Sequence, residues 1–187
     1  MRVIAGTAKG VHLVAPRQGT RPTSDRVREA VFSLIADWAG TAGGPAEVQL
    51  AGLSLLDLFA GSGAVAIEAA SRGARPVVAV DSDAVAARLI QANTATAGVG
   101  VKVTRATVDG FLRGTPAPFD VIWLDPPYDL ELGDVICKAA QWLAADGLVA
   151  IERSARTPAP QWPPGLAQRW HKRYGETVVY FARERLP

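Results

Sequence analysis

From Leu53 onward, short apolar runs alternate with stretches of helical spacing, and this rhythm restricts the fold more than any other feature of the chain. The runs at 54–59 (SLLDLF), 76–81 (PVVAVD), 101–106 (VKVTRA), 119–125 (FDVIWLD) and 147–152 (GLVAIE) predict strands. Their continuous apolar character suits a parallel sheet covered on both faces. Helical segments are expected in the gaps, at 63–72, 83–97, 108–113 and 130–144. Two further strands, 168–174 and 177–182, flank the tight "RYGET" and predict an antiparallel hairpin. The expectation is an α/β fold with an open, mostly parallel, seven-stranded sheet and helices on both faces. In such sheets ligands bind at the carboxyl ends of the strands.

Upstream, "MRVIAG" and "GVHLVAP" flank the turn-rich "GTAKG" and predict a short β-hairpin over residues 1–16. In "RPTSDRVREAVFSLIADWAG", Thr23, Ser24 and Asp25 offer capping oxygens. Val27, Val31, Leu34, Ile35 and Trp38 fall on one helical face, with Arg26 and Arg28 off that stripe. A linker, "TAGGPAEVQLAG", follows. The expected division is a hairpin-and-helix extension over 1–40 and the main α/β domain over 41–187.

The net charge of +2 hides an asymmetry. Residues 1–30 carry six Lys or Arg (Arg2, Lys9, Arg17, Arg21, Arg26, Arg28) against Asp25 and Glu29. Residues 153–187 carry seven (Arg153, Arg156, Arg169, Lys172, Arg173, Arg183, Arg185) against Glu176 and Glu184. The residues between are acidic on balance. Basic ends around an acidic body suggest contact with a polyanion, although solvated surface charge is the plainer account. A single cysteine, Cys137, rules out an intrachain disulfide and a Cys-cluster metal site, and it reads as a small buried hydrophobe. The two histidines, His12 and His171, are far apart in sequence, so no metal site is expected. No apolar stretch reaches the ~18 residues of a membrane span, and "MRVIAGTAKGVH" lacks a secretory pattern. A cytoplasmic protein is expected, acting as a monomer and without membrane contact.

"LLDLFAGSGAVAIEAA" carries the first site. Gly61-Ser62-Gly63 lets backbone approach a ligand, and the helix that follows supplies N–H donors. Gly61, Gly63 and Ala66 even satisfy the G-x-G-x-x-A dinucleotide pattern, which is weak evidence alone. Asp57, in the strand just before the loop, would repel a pyrophosphate. It would attract the ammonium and sulfonium of S-adenosylmethionine. Asp81 ends the second strand, where a carboxylate can accept ribose hydroxyls, a feature NAD sites share.

The second site is Asp125-Pro126-Pro127-Tyr128, which ends the buried run "FDVIWL". Methyl transfer to an exocyclic amine requires the nitrogen lone pair to be aimed at the methyl group. The Asp125 carboxylate can accept one N–H and the Pro126 carbonyl the other. Two prolines fix φ and remove competing donors. Asp125 can also stabilise charge developing on the nitrogen, and Tyr128 offers a face for stacking a base.

"DLFAGSGAVAIE", "VAVDSD" and "FDVIWLDPPY" resemble Rossmann-like, class I S-adenosylmethionine-dependent amino-methyltransferases. "MRVIAGTAKGVHLVAP" and "RPTSDRVREAVFSLI" narrow the resemblance to the bacterial 16S ribosomal RNA guanine-N2 methyltransferase family. The resemblance covers nearly the whole chain. It implies methylation of one guanine at N2 in the 16S ribosomal RNA, within an assembled or assembling small subunit. It further implies a cofactor loop of Asp57, Phe59, Ala60, Gly61, Ser62 and Gly63, a ribose ligand at Asp81, and a catalytic tetrapeptide from Asp125 to Tyr128. RNA contacts are implied for the basic N-terminal extension, namely Arg2, Lys9, Arg17, Arg21 and Arg26. Related enzymes often carry an Asp or Asn for the adenine amino group where this chain has Thr107. Backbone groups of Thr107 and Val108 are therefore expected at the adenine, and Asp109 is left without a role. The tetrapeptide alone also permits a DNA adenine-N6 methyltransferase. The glycine loop alone permits an NAD-dependent oxidoreductase, and the charge pattern alone a non-catalytic RNA-binding factor.

Overall fold

The computed structural model describes residues 1–16 and 23–184. A first helix, α1 (Asp25–Trp38), starts where the Ser24 side chain accepts a hydrogen bond from the N–H of Val27. The expected alternation then follows: β1 (Leu55–Leu58), α2 (Ala64–Ser71), β2 (Val77–Asp81), α3 (Ala84–Ala97) and β3 (Lys102–Arg105). After these come α4 (Val108–Leu112), β4 (Phe119–Leu124), α5 (Gly133–Ala140) and β5 (Leu143–Ser154). The chain closes with β6 (Leu166–Tyr174) and β7 (Thr177–Glu184).

The seven strands form one sheet in the order β3-β2-β1-β4-β5-β7-β6. Strands β1 to β5 are parallel, and β7 runs antiparallel to both β5 and β6. β7 is thus the one reversed strand, and it ends on the rim where the parallel strands begin. One apolar layer packs Leu55, Val121, Trp123 and Ala150 against α1 and α2. The other packs Leu56, Leu58, Ile122, Val149 and Ile151 against α4 and α5. Successive strand residues feed opposite layers, the period-2 pattern that makes these runs apolar throughout.

Several local expectations change. The segment 1–16 does not pair as two strands; it holds a single isolated bridge between Arg2 and His12. The N–H groups of Ile4 and Ala5, needed for a ladder, donate instead to the two carboxylate oxygens of Glu68 in α2. Val3, Ala8 and Leu13 are buried against Ala64 and Ile67 of the same helix. Gly6 lies so close to α2 that a Cβ would sit 1.9 Å from the Ser71 carbonyl oxygen. Arg28 is buried, not turned outward, because its guanidinium reaches Glu68 at 3.7 Å and Asp25 at 3.0 Å. Arg153 is buried too, with its guanidinium donating to the Tyr128 carbonyl at 3.4 Å. Neither is part of a free basic surface. Cys137, expected inside, is exposed on α5.

The helix expected over 130–144 is shorter, since β5 begins at Leu143. The Trp142 carbonyl accepts the N–H of Phe119, which starts sheet pairing ahead of the expected strand. Asp146 then turns the chain at φ +63°. Among the described residues no helix is long and apolar enough to cross a membrane.

Candidate active site

Register brings the two motifs together. Leu58, the last residue of β1, stands beside Val80 of β2 on one side and Leu124 of β4 on the other. The loop after β1, Asp81 at the end of β2 and Asp125 just beyond β4 therefore share one rim, each ~4.8 Å from its neighbouring strand.

The loop is drawn tightly onto β2. Phe59 adopts φ +65°, a conformation that costs a non-glycine residue about 1–3 kcal/mol. Ala60 then donates to the Val80 carbonyl at 3.0 Å, and Gly61 N–H to Asp81 Oδ2 at 2.8 Å. Gly63 takes φ +76° against α3, where a Cβ would meet Ile90 at 2.7 Å. The other Asp81 oxygen accepts the N–H of Asp83 at 2.9 Å. Asp81 is thus fixed by two backbone donors, with one lone pair free on each oxygen for hydroxyls.

Asp57 is buried beneath α2 and accepts the Ala66 N–H at 3.1 Å. Burial pushes its carboxyl up to about 8, and nearby Asp81 adds to the rise, against the lowering effect of the Ala66 hydrogen bond. Asp125 is half-buried, with its N–H donating to the Leu58 carbonyl at 3.5 Å. Its carboxyl is held well above the usual range, first by burial and then by the charges of Glu152 and Asp57. Glu152, near the end of β5, had no signal in the sequence; it also accepts the Thr23 hydroxyl at 2.7 Å. Pro126 is buried, whereas the Tyr128 ring is 64% exposed at the rim.

Beside the loop lies a cavity of about 220 Å³ lined by Phe59, Asp81, Ser82, Thr107, Val108, Asp109, Leu130 and Val135. Thr107 caps α4, its hydroxyl accepting the Gly110 N–H at 3.0 Å. Asp109, given no role by the sequence, lines the cavity. Its carboxyl is lowered chiefly by the Lys138 hydrogen bond, and Arg113 lies 2.6 Å away. No Lys or Arg is among the described residues lining this cavity, and its two carboxylates are Asp81 and the ion-paired Asp109. A pyrophosphate would meet repulsion there, whereas an adenosine carrying a cationic sulfonium would not. The residues present fit S-adenosylmethionine.

The predicted RNA contacts divide. Arg2, Lys9 and Arg26 are exposed, and Arg2 lies 3.9 Å from Asp25. Lys9 follows Ala8, whose N–H donates to Ser71 Oγ at the far end of α2, about 12 Å along that helix from the loop. Arg17 and Arg21 lie outside the described residues.

Residues 1–183 match the family described as "Conserved hypothetical protein 95". The chain belongs to this family. YlbH of Bacillus subtilis strain 168 is 32% identical to it, over 99% of this chain and 100% of its own. Ribosomal RNA small subunit methyltransferase D of Escherichia coli K12 is 30% identical, over 95% of this chain and 87% of its own. Among solved structures, YhhF of Escherichia coli matches with a TM-score of 0.83 at 28% identity, covering 98% of this chain and 97% of that one. These relatives bear out the resemblance to the rRNA methyltransferase family and the Rossmann-like class I methyltransferase fold. The family match takes in the N-terminal segment as well as the sheet.

Proposed function

We propose that this chain transfers the methyl group of S-adenosylmethionine to the exocyclic N2 amine of a guanine in the 16S ribosomal RNA of the small subunit, acting as a cytoplasmic monomer. One observation carries the reading: a glycine loop and a proline-stiffened, half-buried carboxyl occupy adjacent strand ends in register. Naming of the Escherichia coli relative for the small-subunit RNA supports the substrate class. The bound cofactor supplies an electrophilic methyl group.

The chain's own residues then orient and deprotonate the amine. Asp125 accepts one N–H and the Pro126 carbonyl the other, which turns the lone pair toward the cofactor loop. Tyr128 stacks on the extruded base, worth ~1–3 kcal/mol. As the nitrogen gains positive charge, the Asp125 carboxylate stabilises it and receives the proton the amine sheds. A carboxyl whose proton affinity is already raised suits that last step. Asp57, Phe59, Ala60, Gly61, Ser62 and Gly63 hold the cofactor's amino-acid end, Asp81 its ribose, and Thr107 and Val108 its adenine. Arg2, Lys9 and Arg26, with Arg17 and Arg21, approach the RNA phosphates.

Incubation with methyl-labelled S-adenosylmethionine and either small ribosomal subunits, naked 16S RNA or duplex DNA tests the proposal. Label recovered as N2-methylguanine from ribosomal RNA supports it. Label entering DNA and not RNA, or binding of NADH without S-adenosylmethionine, overturns it.

A further inference from the structure

Asn93 sits in the interior of α3, 2% exposed, where an asparagine is a poor choice for helix stability. A buried amide is tolerated only when its polar atoms are satisfied, and the partners of this one are specific. Its Nδ2 donates to the Ser62 carbonyl at 3.0 Å and to the Val14 carbonyl at 3.0 Å. Its Oδ1 accepts the Val14 N–H at 2.9 Å. The amide orientation is forced, since both carbonyls need a donor and the N–H needs an acceptor. One side chain therefore grips the peptide of the cofactor loop and the peptide of the N-terminal segment at once.

The rest of that segment is built on the same footing. Its buried apolar side chains pack on Ala64 and Ile67 of α2, the helix that opens directly from the cofactor loop, with Ala97, Val99 and Val101 at the edge of the same cluster. The Ser62 hydroxyl also meets Met1 Sδ at 3.7 Å. At Val14, by contrast, the side chain is 63% exposed and packs little, so the backbone bonds to Asn93 are the described hold on the chain at that point. The segment carries the exposed cations Arg2 and Lys9.

We propose that Asn93 is a positioning residue that makes cofactor binding and RNA binding reinforce one another, a coupling that rests on the functional reading above. A ligand that fixes the Ser62 peptide fixes Asn93, and through it the Val14 peptide at the end of the segment, so the cost of ordering the chain at that point is met before RNA arrives. Coupling of this kind is reciprocal: RNA held by the segment tightens the grip on the cofactor by the same factor.

The test measures binding of S-adenosylhomocysteine, which permits no turnover, with and without saturating small ribosomal subunits. In the wild-type protein the subunits tighten binding at least fivefold. Asn93→Ala reduces that ratio to below twofold while its RNA-free affinity stays within a few-fold. Its KM for RNA rises while kcat at saturation changes little. Val14→Pro removes the same N–H at a position whose side chain is exposed and lowers the ratio too, and a melting temperature near that of the wild type in either variant separates coupling from a folding defect. Rescue of the ratio by Asn93→Gln supports the amide's role. A wild-type ratio near one, or an unchanged ratio in both Asn93→Ala and Val14→Pro, overturns the proposal. Absence of any RNA binding by the wild-type protein overturns the functional reading and this coupling with it.

Discussion

In the proposed mechanism, truncating Asp125 to alanine removes the acceptor for one amine N–H and the group that takes its proton, while leaving the glycine loop intact. Asp125→Ala should lower methyl transfer by about 10²–10³-fold, with S-adenosylmethionine affinity within tenfold in a calorimetric titration. Asp57 makes a different, pH-dependent prediction. Its folded carboxyl holds a proton up to about 8, whereas the unfolded chain releases it near 3.8. Between those values the folded state binds the extra proton, so ligand-free stability falls as pH rises through the window. Asp125 is shifted the same way, and the lowered Asp109 acts only below pH 4. Melting temperature should therefore climb as pH drops from 8 toward 5, and Asp57→Asn should flatten that climb. Asp57 and Asp125 were legible in the sequence because each interrupts or ends an apolar run. Asn93 and Glu68 were not, because the N–H groups they receive lie 79 and 64 or 63 positions away.

Among the elements, α2 bears most of the N-terminal segment. Its buried Glu68 accepts two backbone N–H groups and faces Arg28 and Arg72, the latter at 2.9 Å. Removing this carboxylate takes a counter-charge from two buried guanidinium groups, leaving Arg28 with Asp25 and Arg72 with the Gln49 amide oxygen. Glu68→Ala should cost about 3–5 kcal/mol in denaturant unfolding, with Glu68→Gln losing less because it keeps an oxygen for one N–H. Strands β1, β2, β4 and β5 were readable from apolar runs because a parallel sheet buries both faces of each of them, whereas the more exposed β3 and β6 were placed by the alternating rhythm and by the RYGET turn. The boundary between α5 and β5 was not, since "AAQWLAADG" is apolar at either period and only the Trp142–Phe119 hydrogen bond decides where pairing begins. The N-terminal hairpin misread has a similar origin. Its turn residues were correct, but the donors of Ile4 and Ala5 are taken by a helix that sequence spacing cannot bring near.

Across the whole molecule, carboxylates line the rim pocket, while Arg2, Lys9 and Arg26 stand exposed on the N-terminal segment and α1. If Arg2, Lys9, Arg17, Arg21 and Arg26 meet phosphates, replacing them with alanine weakens RNA binding and flattens its salt dependence. The slope of log affinity against log salt should fall by about 0.7–0.9 for every phosphate no longer neutralised, read from filter binding at several salt concentrations. An unchanged slope would return those side chains to plain solvated surface. The far-rim pocket bounded by Trp38, Asp120, Asp146 and Arg183 lies away from this chemistry.

Because β7 is reversed, Glu184 finishes on the rim opposite the glycine loop, whereas Met1 touches Ser62 within it. Purification handles are therefore not interchangeable. A peptide fused ahead of Met1 would emerge against Ser62 of the glycine loop and should weaken ligand binding there, whereas Glu184 lies at the opposite rim of the sheet from that loop.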